Sequence, residues 1–311
     1  MTGGSDLKTR GGGPDQVTLM APAKVNLHLE VLRQRSDGFH EIETVLQAVS
    51  LFDTVKVRLR QRLSSGRPQI NLRVKPPTAA PADRTNLCWQ AAQCFYRHTG
   101  ISGQIEIDLI KEIPMAAGLG GGSSNAAAVL LACDRLFHTH LETTQLEAMA
   151  AEIGSDVPFF VRGGTMLGRG RGTELTPLPP IRKGVFVIVK PDLNLSTSIV
   201  YDTLKMGLTV RSPKANISGM KSLIARFPTS SWFGFNRLEE VVLPSQPMLQ
   251  RLVLRLRELA PLAMLSGSGA AVVAVFEEDS FSPNIADQFA RSYSFVRVVG
   301  PHAAGVEFKD G

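Results

Sequence analysis

Pro114-Met115-Ala116-Ala117-Gly118-Leu119-Gly120-Gly121-Gly122-Ser123-Ser124-Asn125, running straight into Ala126-Ala127-Ala128-Val129-Leu130-Leu131, is the stretch on which the fold turns. Glycines at 118 and 120–122 let the backbone approach a ligand with no Cβ in the way. Two hydroxyls follow, and an alanine-rich helix begins. A glycine loop that opens a helix aims free backbone N–H groups and the positive end of the helix dipole at one spot, which suits a phosphate. The chain is therefore expected to handle a phosphorylated ligand.

Three familiar explanations of such a loop fail. A P-loop requires a lysine after the last glycine, and none follows here. A dinucleotide fingerprint requires an acidic residue about 20 positions on, and Asp134 comes far too soon. A flexible linker is not framed by Ile113-Pro114 before and an alanine-rich helix after.

The rest of the chain bounds the answer. At 311 residues it is long enough for two domains. Its 43% apolar and 20% charged residues are those of an ordinary soluble protein. No apolar run approaches the ~18–20 residues that span a bilayer. Residues 1–14 lack a signal peptide's apolar segment and read as a flexible tail, so the expected compartment is the cytoplasm. Cys88, Cys94 and Cys133, with no CxxC among them, read as buried reduced thiols. The net charge of +6 raises the question of nucleic acid. Much of the excess lies in Lys56-Val57-Arg58-Leu59-Arg60-Gln61-Arg62, whose alternation reads as a half-solvated strand protecting a sheet edge. Another part lies in the single pair Arg169-Gly170-Arg171-Gly172. No interleaved aromatics accompany the charge, so a nucleic-acid partner is disfavoured. A basic surface equally suits polyphosphate substrates.

Strands are expected through 17–31, broken at Pro22, with Val25, Leu27, Leu29 and Val31 on one face and Lys24, Asn26, His28 and Glu30 on the other. A hairpin is expected between 55–63 and 70–74, across Ser64-Ser65-Gly66-Arg67-Pro68. Helices are expected near 86–99, 124–137, 144–153, 220–227, 247–259 and 284–292, and further strands near 105–110, 185–189 and 295–299. Residues 208–232 are polar and broken by prolines. Helices and strands mix without strict βαβ alternation, which makes the class α+β.

The loop pattern P-x-x-x-G-L-G-x-x-S-S-x-A-A does not stand alone. Ala21-Pro22-Ala23-Lys24-Val25-Asn26-Leu27 and Asp37-Gly38-Phe39-His40 precede it. Gly154-Ser155-Asp156-Val157-Pro158-Phe159-Phe160 and Leu265-Ser266-Gly267-Ser268-Gly269 follow. In this order these stretches resemble the GHMP kinases, the superfamily of galactokinase, homoserine kinase and mevalonate kinase. The spelling is closest to the branch whose acceptor has a cytidine diphosphate head and a methylerythritol tail.

The resemblance implies a two-domain α+β architecture. A tail at 1–14 would precede an N-terminal domain at 15–180, similar to the second domain of ribosomal protein S5 and holding the ATP loop. A ferredoxin-like domain would follow at 181–311. It implies an ATP-dependent small-molecule kinase that uses Mg²⁺. The reaction would place the γ-phosphoryl group on the 2-hydroxyl of the methylerythritol moiety, in non-mevalonate isoprenoid biosynthesis. Asp156 would be the base, although by its residue context alone it could equally be a helix N-cap. Lys24 would be its electrostatic partner, although alone it reads as an exposed strand lysine. ATP would be bound by Asn86, Lys111 and the loop from Pro114 through Met115, Ala116, Ala117, Gly118, Leu119, Gly120, Gly121 and Gly122 to Ser123 and Ser124. The acceptor would be bound by Asn26, Phe39, His40, Thr197, Tyr201, Gly267 and Ser268. Phe39 stands where that branch usually has tyrosine, so stacking survives but the hydroxyl is lost. The implied partner is a small molecule, with neither nucleic acid nor membrane. Oligomeric state and metal ligands are not readable. The alternatives are a GHMP kinase for homoserine, mevalonate or a sugar, and a basic nucleic-acid-binding protein.

Overall fold

The computed structural model describes residues 15–204, 217–229 and 233–309. The tail expected at 1–14 and parts of the polar stretch 208–232 lie outside them. The chain runs β1 (Gln16–Gln34), β2 (His40–Leu63), β3 (Gln69–Lys75), α1 (Leu87–Thr99), β4 (Ser102–Ile110), α2 (Gly121–Phe137), α3 (Thr143–Ile153), α4 (Val157–Arg162), β5 (Thr165–Arg169) and β6 (Glu174–Pro177). It continues through β7 (Val185–Lys190), α5 (Thr197–Thr203), α6 (Ile217–Ala225), β8 (Phe235–Asn236), α7 (Glu239–Ser245), α8 (Pro247–Arg257), β9 (Leu262–Leu265), β10 (Val272–Phe276), α9 (Pro283–Ala290), β11 (Phe295–Val299) and β12 (Glu307–Phe308).

The first sheet is built on β1 and β2, with the order β12-β1-β2-β4-β3 and the β5–β6 ribbon attached to β2. The break expected at Pro22 is absent. β1 runs through it, and the missing N–H is absorbed by a register shift between Pro22 and Ala23. The expected hairpin is also overturned. β4 lies between β2 and β3, antiparallel to the first and parallel to the second. Ile105, Ile107 and Leu109 of β4 are more completely buried than Leu72 and Val74 of β3, so the more apolar strand takes the interior place. β2 is consequently no edge. Its basic face is neutralised across the sheet, with Arg58 and Arg60 on Glu106 at 3.4 and 2.7 Å. Arg62 donates to the carbonyls of Leu136 and Phe137, where a cation meets the negative end of α2.

Helices α1 to α4 cover one face of this sheet around Phe95, Phe159 and Phe160. Asn86 caps α1 through the Cys88 amide at 2.9 Å, and Gly100 ends it in the left-handed region. The helix expected from Ser124 begins at Gly121, because the glycine loop winds directly into it.

The second sheet is antiparallel, ordered β11-β7-β10-β9, which in chain order is fourth-first-third-second, the ferredoxin-like arrangement. One of its faces packs on α8 through Leu252, Val253 and Leu256. The other meets Val25 and Leu27 of β1 through Ile188, Met264 and Val273. β1 therefore starts as a half-covered strand, is buried on both faces from Ala21 to Val31, and emerges into solvent at Arg33 and Gln34. β8 and β12, from late in the chain, pair back onto it.

All three cysteines are buried. Burial pushes the Cys88 thiol up to about 12 and raises Cys94 and Cys133 as well, so thiolate is scarce at neutral pH. Ellman's reagent should find no fast-reacting thiol in native buffer and all three in denaturant. A rapidly labelled native thiol would contradict this packing.

Candidate active site

The glycine loop leaves β4, crosses under the turn at 266–270 and enters α2. Gly118 has φ +73°, and a Cβ there would lie 1.8 Å from the Ser266 carbonyl oxygen. Gly120 has φ +70°, and its Cβ would lie 2.6 Å from the Phe160 ring. Neither position tolerates a side chain. Four bonds fix the loop. Ser266 Oγ donates to the Gly118 carbonyl at 2.9 Å, and the amides of Ala270 and Ala271 donate to Ala116 and Ala117 at 3.3 and 3.1 Å. The Lys24 amide donates to Leu119 at 2.9 Å. Gly120 occupies the N-cap of α2 and offers no side-chain bond, so the first helical amides stay open. The glycine loop lines a cavity of about 770 Å³.

Beneath the loop sits Asp53, fully buried. Its Oδ1 accepts from the amides of Glu112 and Ile113 at 2.7 and 2.9 Å. Its Oδ2 accepts from Asn125 Nδ2 at 2.8 Å and from the Lys111 ammonium. Lys111 also donates to Asn125 Oδ1 at 3.1 Å. The lysine expected at the phosphates thus lines the cavity while anchored on a carboxylate.

On a second wall, Lys24 Nζ lies 3.4 Å from Asp156 Oδ2, the lysine 5% and the aspartate 40% exposed. Lys24 donates to Asn26 Oδ1 at 2.7 Å, Asn26 Nδ2 to Thr44 Oγ1 at 2.8 Å, and Thr44 to the His28 carbonyl at 2.7 Å. Asp156 does occupy the N-cap position of α4, but its side chain makes no capping bond. The carboxylate is free for another use.

The third wall is aromatic. The rings of His40 and Tyr201 lie 5.2 Å apart, and Phe39 is 49% exposed beside them. Burial, with the Asp156 charge second, pushes the Tyr201 phenol upward, so it stays a donor at neutral pH. Thr197 Oγ1 and Ser268 Oγ are 2.9 Å apart. All the expected site residues line this cavity except Ser124. Its hydroxyl is buried with no partner among the described residues, and Ser123 is the serine on the wall. Cys94, His98 and Glu152 come together on α1 and α3, but Arg97 pairs with both Cys94 and Glu152, and none of the three lines the cavity.

Residues 86–164 match the model of the GHMP kinases N terminal domain. The 4-diphosphocytidyl-2-C-methyl-D-erythritol kinase of Gloeobacter violaceus is 41% identical over 82% of this chain and 84% of its own length. That of Heliobacterium modesticaldum is 35% identical over 86% and 89%. The chain belongs to the 4-diphosphocytidyl-2-C-methyl-D-erythritol kinase family. A crystal structure of a 4-(cytidine 5'-diphospho)-2C-methyl-D-erythritol kinase superposes with TM-score 0.73 at 31% identity, over 91% of this chain and 99% of that one. Homoserine kinase from Cytophaga hutchinsonii shares the fold, with TM-score 0.70 at 19% identity over 98% and 100%. The kinase is ATP-dependent, as its family is.

Sequence reasoning missed four supports of this kinase's site: Asp53, Asn125, Thr44 and Asn236. Asn236 Nδ2 donates to the carbonyls of Leu265 and Gly267 at 3.0 and 2.8 Å and so holds the turn over the loop. Asn125 sits inside the quoted loop stretch and could have been suspected there. Asp53 and Asn236 have only an apolar setting as a signal, and Thr44 has none.

Asp53→Ala strands the Lys111 ammonium in the interior and should cost about 3–5 kcal/mol in urea unfolding. Gly118→Ala should unfold or misplace the loop, whereas Gly122→Ala, which meets only Leu87 Cδ1 at 3.6 Å, should keep the fold and gain about 0.4–1 kcal/mol. Equal stabilities for the two glycine variants would refute the interlocked loop.

Proposed function

We propose that the chain transfers the γ-phosphoryl group of ATP to the 2-hydroxyl of 4-diphosphocytidyl-2-C-methyl-D-erythritol. The observation that supports this most is the Lys24–Asp156 pair, 3.4 Å apart, standing in one cavity with an open helix N-terminus and an aromatic cluster. The amides of the glycine loop and α2 would bind the phosphates of ATP, with Asn86 beside the adenine. Phe39, His40 and Tyr201 would hold the cytosine, and Asn26, Thr197, Gly267 and Ser268 the rest of the acceptor. Asp156 would accept the proton of the attacking hydroxyl. The new P–O bond forms as the bond to the β-phosphate breaks, and ADP leaves. Lys24 would stabilise the developing alkoxide and keep Asp156 oriented. Mg²⁺ would supply neutralisation of phosphate charge, and among the hard oxygen donors on the wall the Ser123 hydroxyl, in the first turn of α2, and the Asp156 carboxylate would hold it.

The two sheets support a division into domains at 15–180 and 181–311, with β8 and β12 returning to the first. No helix among the described residues is long and apolar enough to cross a membrane, which accords with a cytoplasmic enzyme.

The test is ADP release by purified protein with ATP and Mg²⁺, offered diphosphocytidyl-methylerythritol, homoserine, mevalonate or galactose. Release is expected with the cytidine compound alone, and release with another acceptor alone would overturn the assignment. Asp156→Ala should lower kcat on the order of 10²–10⁴-fold while calorimetry shows ATP still bound. Near-normal turnover by that variant would remove Asp156 as base.

A further inference from the structure

Phe39 presents an odd physical problem. It sits on the turn 35–39, half in solvent, with no packed core to hold its ring. The backbone of the turn is well fixed. The Arg35 amide bonds the Phe39 carbonyl at 2.8 Å, and the Phe39 amide bonds Asp37 Oδ1 at 3.1 Å. None of this sets the side-chain torsions. The group that does comes from another part of the chain. The Arg171 guanidinium carbon lies 4.4 Å from the Phe39 ring centroid.

Arg171 is delivered there by construction. It stands in the tight turn between β5 and β6, flanked by Gly170 at φ +66° and Gly172 at φ +91°. The turn is fastened to the first residues of β2, at Ile42 and Glu43, three and four positions after Phe39. The Ile42 amide donates to the Gly170 carbonyl at 2.8 Å, and Arg169 pairs with Glu43 at 3.0 Å. Against a desolvation that raises it, the Asp37 carboxyl is held below its usual range by the Phe39 amide and then Arg35, and the Arg171 charge adds a smaller part. Both Arg171 and Phe39 line the cavity.

We propose that Arg171 is a positioning residue for acceptor recognition: its planar guanidinium stacks on one face of Phe39 and fixes the ring as a platform whose other face receives the pyrimidine. The inference rests on the cytidine reading above. An arginine suits the task better than a lysine, because a planar cation covers a ring face and a point charge does not. It also supplies the constraint that a phenyl ring, having no hydroxyl to anchor, requires.

The experiment compares wild type, Arg171→Gln, Arg171→Lys, Phe39→Ala and the Phe39→Ala/Arg171→Gln double variant. It measures kcat, KM for the cytidine acceptor and KM for ATP, and calorimetric binding of cytidine diphosphate. Arg171→Gln should raise the acceptor KM about tenfold and weaken cytidine diphosphate in the same ratio. Its kcat and ATP KM should stay within about twofold of wild type. Arg171→Lys should fall between. The double variant should be no worse than Phe39→Ala, since the arginine acts through the ring. An unchanged acceptor KM in Arg171→Gln would overturn the proposal. So would losses that add in the double variant, which mean the guanidinium contacts the ligand itself. Wild type that neither binds cytidine diphosphate nor turns over the cytidine acceptor would instead sink the cytidine reading, and this inference with it.

Discussion

A single buried carboxylate decides where the glycine loop begins and where it ends. Asp53 stands in the middle of β2 with no contact with water, where an unpaired charge would cost several kcal/mol. Four donors satisfy it. Three come from the segment that leaves β4, namely the Lys111 ammonium and the amides of Glu112 and Ile113. The fourth is Asn125, in the first turns of α2. Lys111 and Asn125 are 14 positions apart in sequence and share one carboxylate. The glycine loop between them is thereby closed at its base, and the entropy of that closure is met by the fold before any ligand arrives.

What the carboxylate does from below, the second sheet does from above. Gly118 passes beneath the Ser266 carbonyl so closely that no other residue fits, and three hydrogen bonds join the loop to the turn between β9 and β10. Asn236, on a short strand beside β1, fixes that turn in its own right. The site is therefore not a property of the glycine loop alone. It exists where the first sheet, through the later part of β1, packs on the second. The face of β1 opposite Val25 and Leu27 is then left to line the cavity with Lys24 and Asn26.

This division of labour explains what the sequence could disclose. The loop was legible because glycine spacing, hydroxyls and a helix start are local signals within a dozen residues. The helix near 86–99 was legible for the same reason, since Asn86 and Gly100, which bound it, act on their own neighbours. Strand order was not. Nothing within residues 55–74 says that β4, some thirty positions later, will take the place between them. The basic run 56–62 looked like a protected edge because Glu106, its partner, is remote in sequence. Ser124 shows how small an error suffices. With α2 beginning at Gly121, the serine shares the buried face of Ala127 and Ala128, three and four positions on, and turns away from the wall that Ser123 occupies.

The Lys24–Asp156 pair is the part of the site least explained by stability. Half-exposed ion pairs contribute little to folding, and taking an ammonium out of water carries a desolvation cost. The fold nevertheless builds a chain of bonds beneath it, from Lys24 to Asn26 to Thr44 to the β1 backbone. The two partners are also unequally held. The ammonium is fixed in the interior, while the carboxylate, at a helix N-cap it does not cap, keeps an open side to the cavity. A fixed cation beside a carboxylate with one free face is a poor strut, but it orients that carboxylate toward the cavity. In the proposed reaction the carboxylate would keep its orientation while a hydroxyl approaches its open side, and the field of the buried ammonium would reach that hydroxyl through little intervening water. The desolvation of Lys24 would there be offset by preorganisation around the charge that develops on the hydroxyl.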